Sequence, residues 1–266
     1  MIFKVVESYF DANLTAGDFT KYYGGSDKLA ILLKDSNGNP FANQVITVKI
    51  ASKHYEVTTN SKGIAYAGIN LASGDYIAEI TFSSNERYRN ISANVSVSVL
   101  PTVEGIDVVK LYGTATQYFA IFTDSKGKAL SNAKVTFKIG SKSYSISTLP
   151  NGIARININI NPGTYTISCK NPATGESLSN RIIIYSRIME NKDVSNYYGA
   201  KTNYKVRIYS DNAAPVGAGK TVTFKVNGKT YKVKTDKNGY AKLAVKLPAK
   251  KYTVTASYGK VKVSNK

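Results

Sequence analysis

Apolar and polar residues alternate along much of the chain. Ile46, Val48 and Ile50 are interleaved with Thr47 and Lys49, and the same alternation returns as Val135, Phe137, Ile139 and again as Val222, Phe224, Val226. Period two, with β-branched and aromatic side chains at the apolar positions, predicts half-buried strands. Turn formers bound these runs, as in Ser36-Asn37-Gly38-Asn39-Pro40, Asn151-Gly152 and Asn238-Gly239. A glycine in such a pair supplies the positive φ that a tight β-turn needs. No segment sustains a helical period, so the chain is expected to be all-β.

The pattern recurs. Tyr23-Gly24, Tyr112-Gly113 and Tyr198-Gly199 stand 89 and then 86 residues apart. Tyr55, Tyr144 and Tyr231 keep steps of 89 and 87, as do Gly63, Gly152 and Gly239, Asp35, Asp124 and Asp211, and Tyr76, Tyr165 and Tyr252. Self-similarity at a fixed period marks a repeat architecture. Three copies are expected, at 1–100, 101–186 and 187–266. Six or seven short strands in each, separated by closely spaced turn signals, predict three tandem immunoglobulin-like β-sandwiches. The tyrosines of Gly74-Asp75-Tyr76, Gly163-Thr164-Tyr165 and Lys250-Lys251-Tyr252 fall at the start of the penultimate strand. That is the place of a tyrosine corner, whose hydroxyl bonds back to upstream backbone. Cys169 aligns with Ile80 and Ala256 and reads as a small core hydrophobe rather than a reactive thiol.

Composition narrows the classes. A chain of 266 residues suits two or three domains, and 42% hydrophobic residues with 20 tyrosines exclude disorder. No apolar run is long enough for a membrane-spanning helix. One cysteine excludes a disulfide scaffold and a cysteine-based zinc site, and one histidine, His54, leaves little for acid–base or metal chemistry. Neither catalysis nor a cofactor is expected. Asp35 and Asp124 open Asx-type turns, and no carboxylate cluster offers the six to eight oxygens of a calcium site.

The net charge of +19 is unevenly spread: residues 1–100 balance nine basic against nine acidic residues, 101–186 hold nine against four, and 187–266 hold eighteen against four. A polyanion of the cell envelope would meet the last third first. Lys225, Lys229, Lys232, Lys234 and Lys237 alternate with apolar residues, as on the wet face of a sheet, and Arg207 is the one arginine in the interior of this copy. Lysine gives salt-dependent, sequence-blind attraction, whereas arginine is the preferred reader of bases. Specific nucleic-acid binding is therefore not expected. The sequons at Asn13, Asn90 and Asn94 all lie in the first copy and are candidate glycosylation sites.

The stretch TTNSKGIAYAGINLASGDY, its counterpart from Ser147 to Tyr165, and KTDKNGYAKLAVKLPAKKY resemble bacterial-type immunoglobulin-like repeats of invasin-like adhesins. With DFTKYYGG and NPATGESLSN, the chain resembles more closely the adhesin-like surface proteins of methanogenic archaea. The resemblance covers nearly the whole chain. It implies a repeat stalk that is extracellular, on the cell surface or wall, and mediates adhesion or spacing, with a partner on the envelope or on another cell. A carbohydrate- or protein-binding module and a pure spacer are the alternatives. Some Gram-positive surface domains of immunoglobulin type carry an isopeptide bond between a lysine on the first strand and an asparagine on the last, beside a buried acid. Lys21 with Asn94 and Lys110 with Asn180 are the candidate pairs, with Asp18 and Asp107 as the acids. The third copy has Asn196 at the lysine position, and each aspartate falls on the opposite strand face from its lysine.

Residues 1–10 align with 90–99, and the third copy reaches Asn265-Lys266 partway through its last strand. The chain thus reads as an excerpt of a longer stalk, without signal peptide or anchor. A monomer is expected, with end-to-end strand exchange as the route to assembly. The joins at 97–103 and 182–188 are short and apolar, with a single proline, Pro101, so consecutive copies should be stiffly set.

Overall fold

The computed structural model describes residues 9–83 and 87–266, and all regular structure among them is β-strand. The first copy holds β1 (Asn13–Ala16), β2 (Phe19–Tyr22), β3 (Leu29–Lys34), β4 (Val45–Ile50), β5 (Lys53–Thr58), β6 (Ile64–Ala67), β7 (Gly74–Phe82) and β8 (Ile91–Leu100). They form a three-stranded sheet, β1-β3-β6, and a five-stranded sheet, β2-β8-β7-β4-β5. The alternation read from sequence sorts the faces. In β4, Ile46, Val48 and Ile50 are buried while Val45 and Lys49 are exposed. Inward residues of both sheets make one cluster that includes Leu29, Ile31, Ala65, Ile80 and Val97.

The second copy repeats the plan with β9 (Val103–Gly105), β10 (Val108–Leu111), β11 (Gln117–Phe122), β12 (Lys134–Ile139), β13 (Lys142–Ser147), β14 (Ile153–Asn157), β15 (Gly163–Lys170) and β16 (Ser177–Tyr185). Its sheets are β14-β11-β9 and β10-β16-β15-β12-β13, around a cluster centred on Phe122, Phe137 and Tyr118. The third has β17 (Ile188–Met189), β18 (Thr202–Ile208), β19 (Thr221–Val226), β20 (Lys229–Lys234), β21 (Tyr240–Val245), β22 (Val254–Tyr258) and β23 (Val261–Asn265). Its sheets are β17-β18-β21 and β20-β19-β22-β23, so the larger one has four strands instead of five. These are tandem immunoglobulin-like sandwiches.

The first two copies hold one or two strands more than sequence suggests, because their leading segment is split. It starts in the small sheet as β1 or β9, crosses over at Gly17-Asp18 or Ile106-Asp107, and pairs in parallel with the last strand as β2 or β10. At the crossing, Asp18 accepts from the Ser96 amide at 2.9 Å and Asp107 from the Arg181 amide at 2.7 Å. Asp193 accepts from the Lys266 amide in the same way, at 2.9 Å. There the repeat ends. Val194 makes one backbone bond to Lys266, and residues 192–199 form no strand. Accordingly β22 begins only at Val254, although β7 and β15 begin at Gly74 and Gly163. A strand needs its ladder partner, and β23 reaches only to the partner of Val254.

Two equivalences read from sequence shift by one, and that of Cys169 holds. Ile167 pairs with Asn180, and its counterpart Ala78 pairs with Val95, so Asn180 corresponds to Val95 and not to Asn94. Asn94 is exposed, whereas Asn180 turns inward and accepts from the Tyr118 hydroxyl at 2.8 Å. A one-residue change of register moves a side chain to the other face. Asp35 and Asp124 each accept from backbone amides of their own turns, but the third turn places Ser210 there and leaves Asp211 one position on. Cys169 lies opposite Phe137 as Ile80 lies opposite Val48 and Ala256 opposite Phe224. Its thiol is pushed up to about 11 by burial. Of the strand expected over 1–10, residues 1–8 lie outside the described residues; Phe10 makes a parallel bridge to Tyr88.

Candidate functional site

The recurring tyrosines and glycines hold the turns. Tyr76, Tyr165 and Tyr252 donate to the carbonyls of Ala72, Asn161 and Pro248 at 3.0, 2.9 and 3.1 Å. Gly63, Gly152 and Gly239 have φ of +72°, +78° and +81°. A Cβ at Gly63 or Gly152 would overlap the carbonyl oxygen of Leu33 or Phe122, so these positions exclude side chains on two counts. A third recurring element gave no signal in the sequence. The buried hydroxyls of Thr59, Thr148 and Thr235 donate to the carbonyls of Phe41, Leu130 and Gly217. They accept from the amides of Gln44, Ala133 and Lys220. Each pins the loop between the third and fourth strands of its copy, or the second and third in the last.

Lys21 and Lys110 are buried and close one end of their sandwiches. The Lys110 ammonium donates to the carbonyls of Thr114, Thr116 and Ile158 at 2.8, 2.9 and 3.0 Å. Lys21 donates to Gly25 and Ile69 at 2.5 and 2.9 Å. Burial lowers both ammonium pKa values, and Asp27 offsets part of this for Lys21. The structure does not bring the candidate isopeptide pairs together. Lys21 lies opposite Val99 and Lys110 opposite Ile184, so Asn94 and Asn180 sit five and four positions back along the strand. At about 3.3 Å per residue that is well over 10 Å. Asn180 is further committed to Tyr118 and to the Gly105 carbonyl. In the third copy Tyr204 bonds Asn265 at 2.8 Å as Tyr118 bonds Asn180, and burial pushes the Tyr204 hydroxyl up to about 12.

Two clamps hold the joins, each only two residues long between strands. At the first, the buried Glu176 carboxylate accepts from the Thr102 amide at 2.5 Å, the Thr102 hydroxyl at 2.7 Å and the Ser73 hydroxyl of the preceding copy. Buried Asn171 donates to the carbonyls of Thr102 and Thr123 at 2.6 and 2.8 Å. Tyr22 lies over Gly127 in the next copy's turn, where a Cβ would overlap its ring. At the second join Arg187 donates to the Tyr112 carbonyl at 2.6 Å and pairs with Asp211, while Tyr112 packs against the second and third cores. The first clamp comes from the six-residue loop Asn171–Glu176; the β22–β23 connection is the tight Gly259-Lys260 turn.

The third copy differs in surface as well as topology. Lys225, Lys229, Lys232, Lys234 and Lys237 are all exposed on or beside β19 and β20. On the small sheet Glu190 accepts from Tyr240, Arg207 and Tyr209 at 2.7, 3.0 and 3.1 Å. Those hydrogen bonds, the Tyr240 hydroxyl first, hold its carboxyl below the usual range. Arg207 lies over the Tyr240 ring at 4.9 Å. A cavity of about 520 Å³ opens at the end of the sandwich, lined by Tyr204, Val226, Leu243, Val245, Leu247 and Val254 and rimmed by Tyr197 and Tyr198. Asn196, in the lysine position, bonds only as far as the Lys201 carbonyl and does not close this end. Asn13, Asn90 and Asn94 are exposed, and His54 stands exposed opposite Lys49. Among the described residues no group of three or more His, Cys, Asp or Glu is placed to hold a metal ion.

Residues 28–98 match the sequence family described as Macroglobulin domain MG4. No curated protein matches the chain. Among solved structures, the I9–I11 tandem of titin is 11% identical over 96% of this chain and 97% of that one, with a TM-score of 0.33. A 1.5-MDa bacterial ice-binding adhesin is 14% identical over 98% and 96%, with a TM-score of 0.25. Trypsin-activated alpha-2-macroglobulin from Escherichia coli is 11% identical over 94% of this chain and 23% of that one, at 0.37. Three sandwiches on one plan, with the same tyrosine, glycine and threonine contacts in each, define an immunoglobulin-like repeat protein.

Proposed function

We propose that this chain is a non-catalytic stalk segment of an adhesin-like protein on the outside of the cell, a spacer that transmits tension. Its domains are 1–100, 101–186 and 187–266. The parallel pairing of β2 with β8 and of β10 with β16 carries this reading, four residue pairs in each. The chain enters a copy beside the strand by which it leaves. Tension therefore pulls the two strands in opposite directions along their length and loads all their bonds at once, in shear. The third copy has a single backbone bond, Val194 to Lys266, at this place. Pulling the whole chain from both ends in a single-molecule experiment should give three ruptures, each releasing on the order of 300 Å of contour. Two are expected at high force and one at low force. Three ruptures at one low force would contradict the reading.

Resemblance to adhesin-like surface proteins supports an outer location and an archaeal source, with Asn13, Asn90 and Asn94 as sites for N-linked sugar. The basic third copy faces an anionic envelope polymer, a contact that is sequence-blind and salt-dependent. Whole chain should co-sediment with anionic vesicles at low salt and be released at high salt. Exchanging Lys225, Lys232 and Lys234 for Glu should abolish binding, and three equivalent reversals in the first copy should not. Equal loss from both would end the proposed orientation. A second reading, a carbohydrate- or protein-binding module, is favoured by Tyr197 and Tyr198, 90% and 81% exposed beside the cavity.

A further inference from the structure

We infer that the outer face of the small sheet in the third copy binds an acidic polysaccharide, one whose units carry a carboxylate beside free hydroxyls. The inference rests on the carbohydrate-binding reading above, to which it gives a place and a ligand class, and it does not depend on the stalk reading.

Lys205 on β18 and Lys242 on β21 stand directly opposite each other, and both are exposed. Opposed partners have Cβ atoms about 5 Å apart, so like charges there repel and weaken the sheet. No other strand ladder among the described residues sets two cations face to face. On the large sheet, Lys225, Lys232 and Lys234 face Thr230, Thr223 and Thr221. Among the described residues neither Lys205 nor Lys242 has a carboxylate within ion-pair distance. An anion held between the two ammonium groups would relieve their repulsion and take charge-assisted hydrogen bonds from both.

The neighbouring residues select the kind of anion. Two positions along, Arg207 and Tyr240 are again opposite each other, with Arg207 at 4.9 Å and Lys205 at 5.1 Å from the Tyr240 ring. Beyond them the exposed Glu190 carboxylate accepts from Tyr240, Arg207 and Tyr209. A carboxylate has about four acceptor positions, so one remains for a further donor. A face with two cations at one end and a carboxylate at the other disfavours a uniform polyanion. It suits a ligand with a negative group at one point and a hydroxyl a few ångström away. A uronic acid unit has that pattern, and the half-buried Tyr209 and Tyr240 add aromatic surface for its ring.

The scaffold is shared, but this polar group belongs to one copy. Lys205 and Arg207 match Ala30 and Leu32 in the first copy, and Phe119 and Ile121 in the second. Tyr240 and Lys242 match Ile64 and Tyr66, and then Ile153 and Arg155. Glu190 matches Ala16 and Gly105, neither of which shares its left-handed backbone, φ +55°. A glutamate rarely adopts that conformation, and three hydrogen bonds hold it here.

Isothermal titration calorimetry of the whole chain at physiological salt tests this, with oligomers of galacturonic acid and of mannuronic acid. Binding of at least one is expected, and its methyl ester, which keeps the hydroxyls and loses the charge, should bind at least tenfold more weakly. Lys205→Gln with Lys242→Gln should weaken binding at least tenfold, while the melting temperature holds or rises because the opposed charges are gone. Glu190→Gln should weaken the oligomer and strengthen a polyphosphate of equal charge. Equal affinity for acid and ester would overturn the acidic ligand and keep the carbohydrate reading. Loss on exchanging Lys225, Lys232 and Lys234 for Gln, but not on exchanging Lys205 and Lys242, would move the contact to the large sheet and overturn the site. Polyphosphate bound by the unaltered protein as tightly as the oligomer would replace the inference with sequence-blind polyanion attraction. No binding of acid or ester would remove the inference and the carbohydrate reading together.

Discussion

Thr148 shows what one buried hydroxyl does in this fold. It satisfies the Leu130 carbonyl and the Ala133 amide, two backbone groups that would otherwise lack partners inside the protein. Thr148→Val keeps the shape and removes both bonds. An unsatisfied buried polar group costs about 1–3 kcal/mol, so a loss in that range is expected from urea denaturation. Thr148→Ser keeps the hydroxyl and should lose no more than about 1 kcal/mol, the worth of one methyl group. Equal losses would show that packing, not hydrogen bonding, matters at this position. The threonines were invisible in the sequence because a strand-forming Thr is ordinary there, and its partners lie 15 and 18 residues away across a loop. Tyr76, Tyr165 and Tyr252 were legible because each bonds the carbonyl four residues upstream, within one continuous motif. Lys110 was legible as a recurring lysine and not as a lid over three carbonyls, which arrive from two separate loops.

Strands and turns were the best-read elements. Period-two alternation placed β4, β12 and β19, and the side chains it assigned inward are the buried ones. What the spacing missed was a displacement of one residue. The third copy has one extra residue between Val216 and Gly219, the positions that match Phe41 and Asn43, so Asp211 stepped out of the turn that Ser210 now opens. Asn94 and Asn180 failed for the same reason, being counted as equivalent although they lie on opposite faces. The turn glycines allow a sharper test. Gly38 and Gly152 both have positive φ, +82° and +78°, but a Cβ at Gly38 meets open space and one at Gly152 overlaps the Phe122 carbonyl. Gly38→Ala should cost about 1–2 kcal/mol, the penalty of the left-handed conformation alone. Gly152→Ala should cost clearly more in the same denaturation assay, and an equal cost would contradict the close approach to Phe122.

Over the whole molecule, the joins decide whether three sandwiches act as one spacer or as loosely strung beads. Sequence pointed to stiffness from short apolar joins, but the clamp itself could not be read from it. Glu176 meets Ser73 across 103 positions and Thr102 across 74, and nothing local in Thr174-Gly175-Glu176 announces those partners. A buried carboxylate is tolerated only when hydrogen bonds replace its water, and three donors from the join and the preceding copy do so here. Local opening free energies follow such contacts, and amide hydrogen exchange measures them directly. The Thr102 amide, bonded to Glu176, and the Thr123 amide, bonded to the Thr102 carbonyl, report on the first join alone. Protection at both close to that of β12 and β15 is predicted, with loss at Thr102 and unchanged core strands in Glu176→Ala. Exchange of these two amides at the rate of an open loop in the unaltered protein would contradict a clamped join, and with it the stiff spacer.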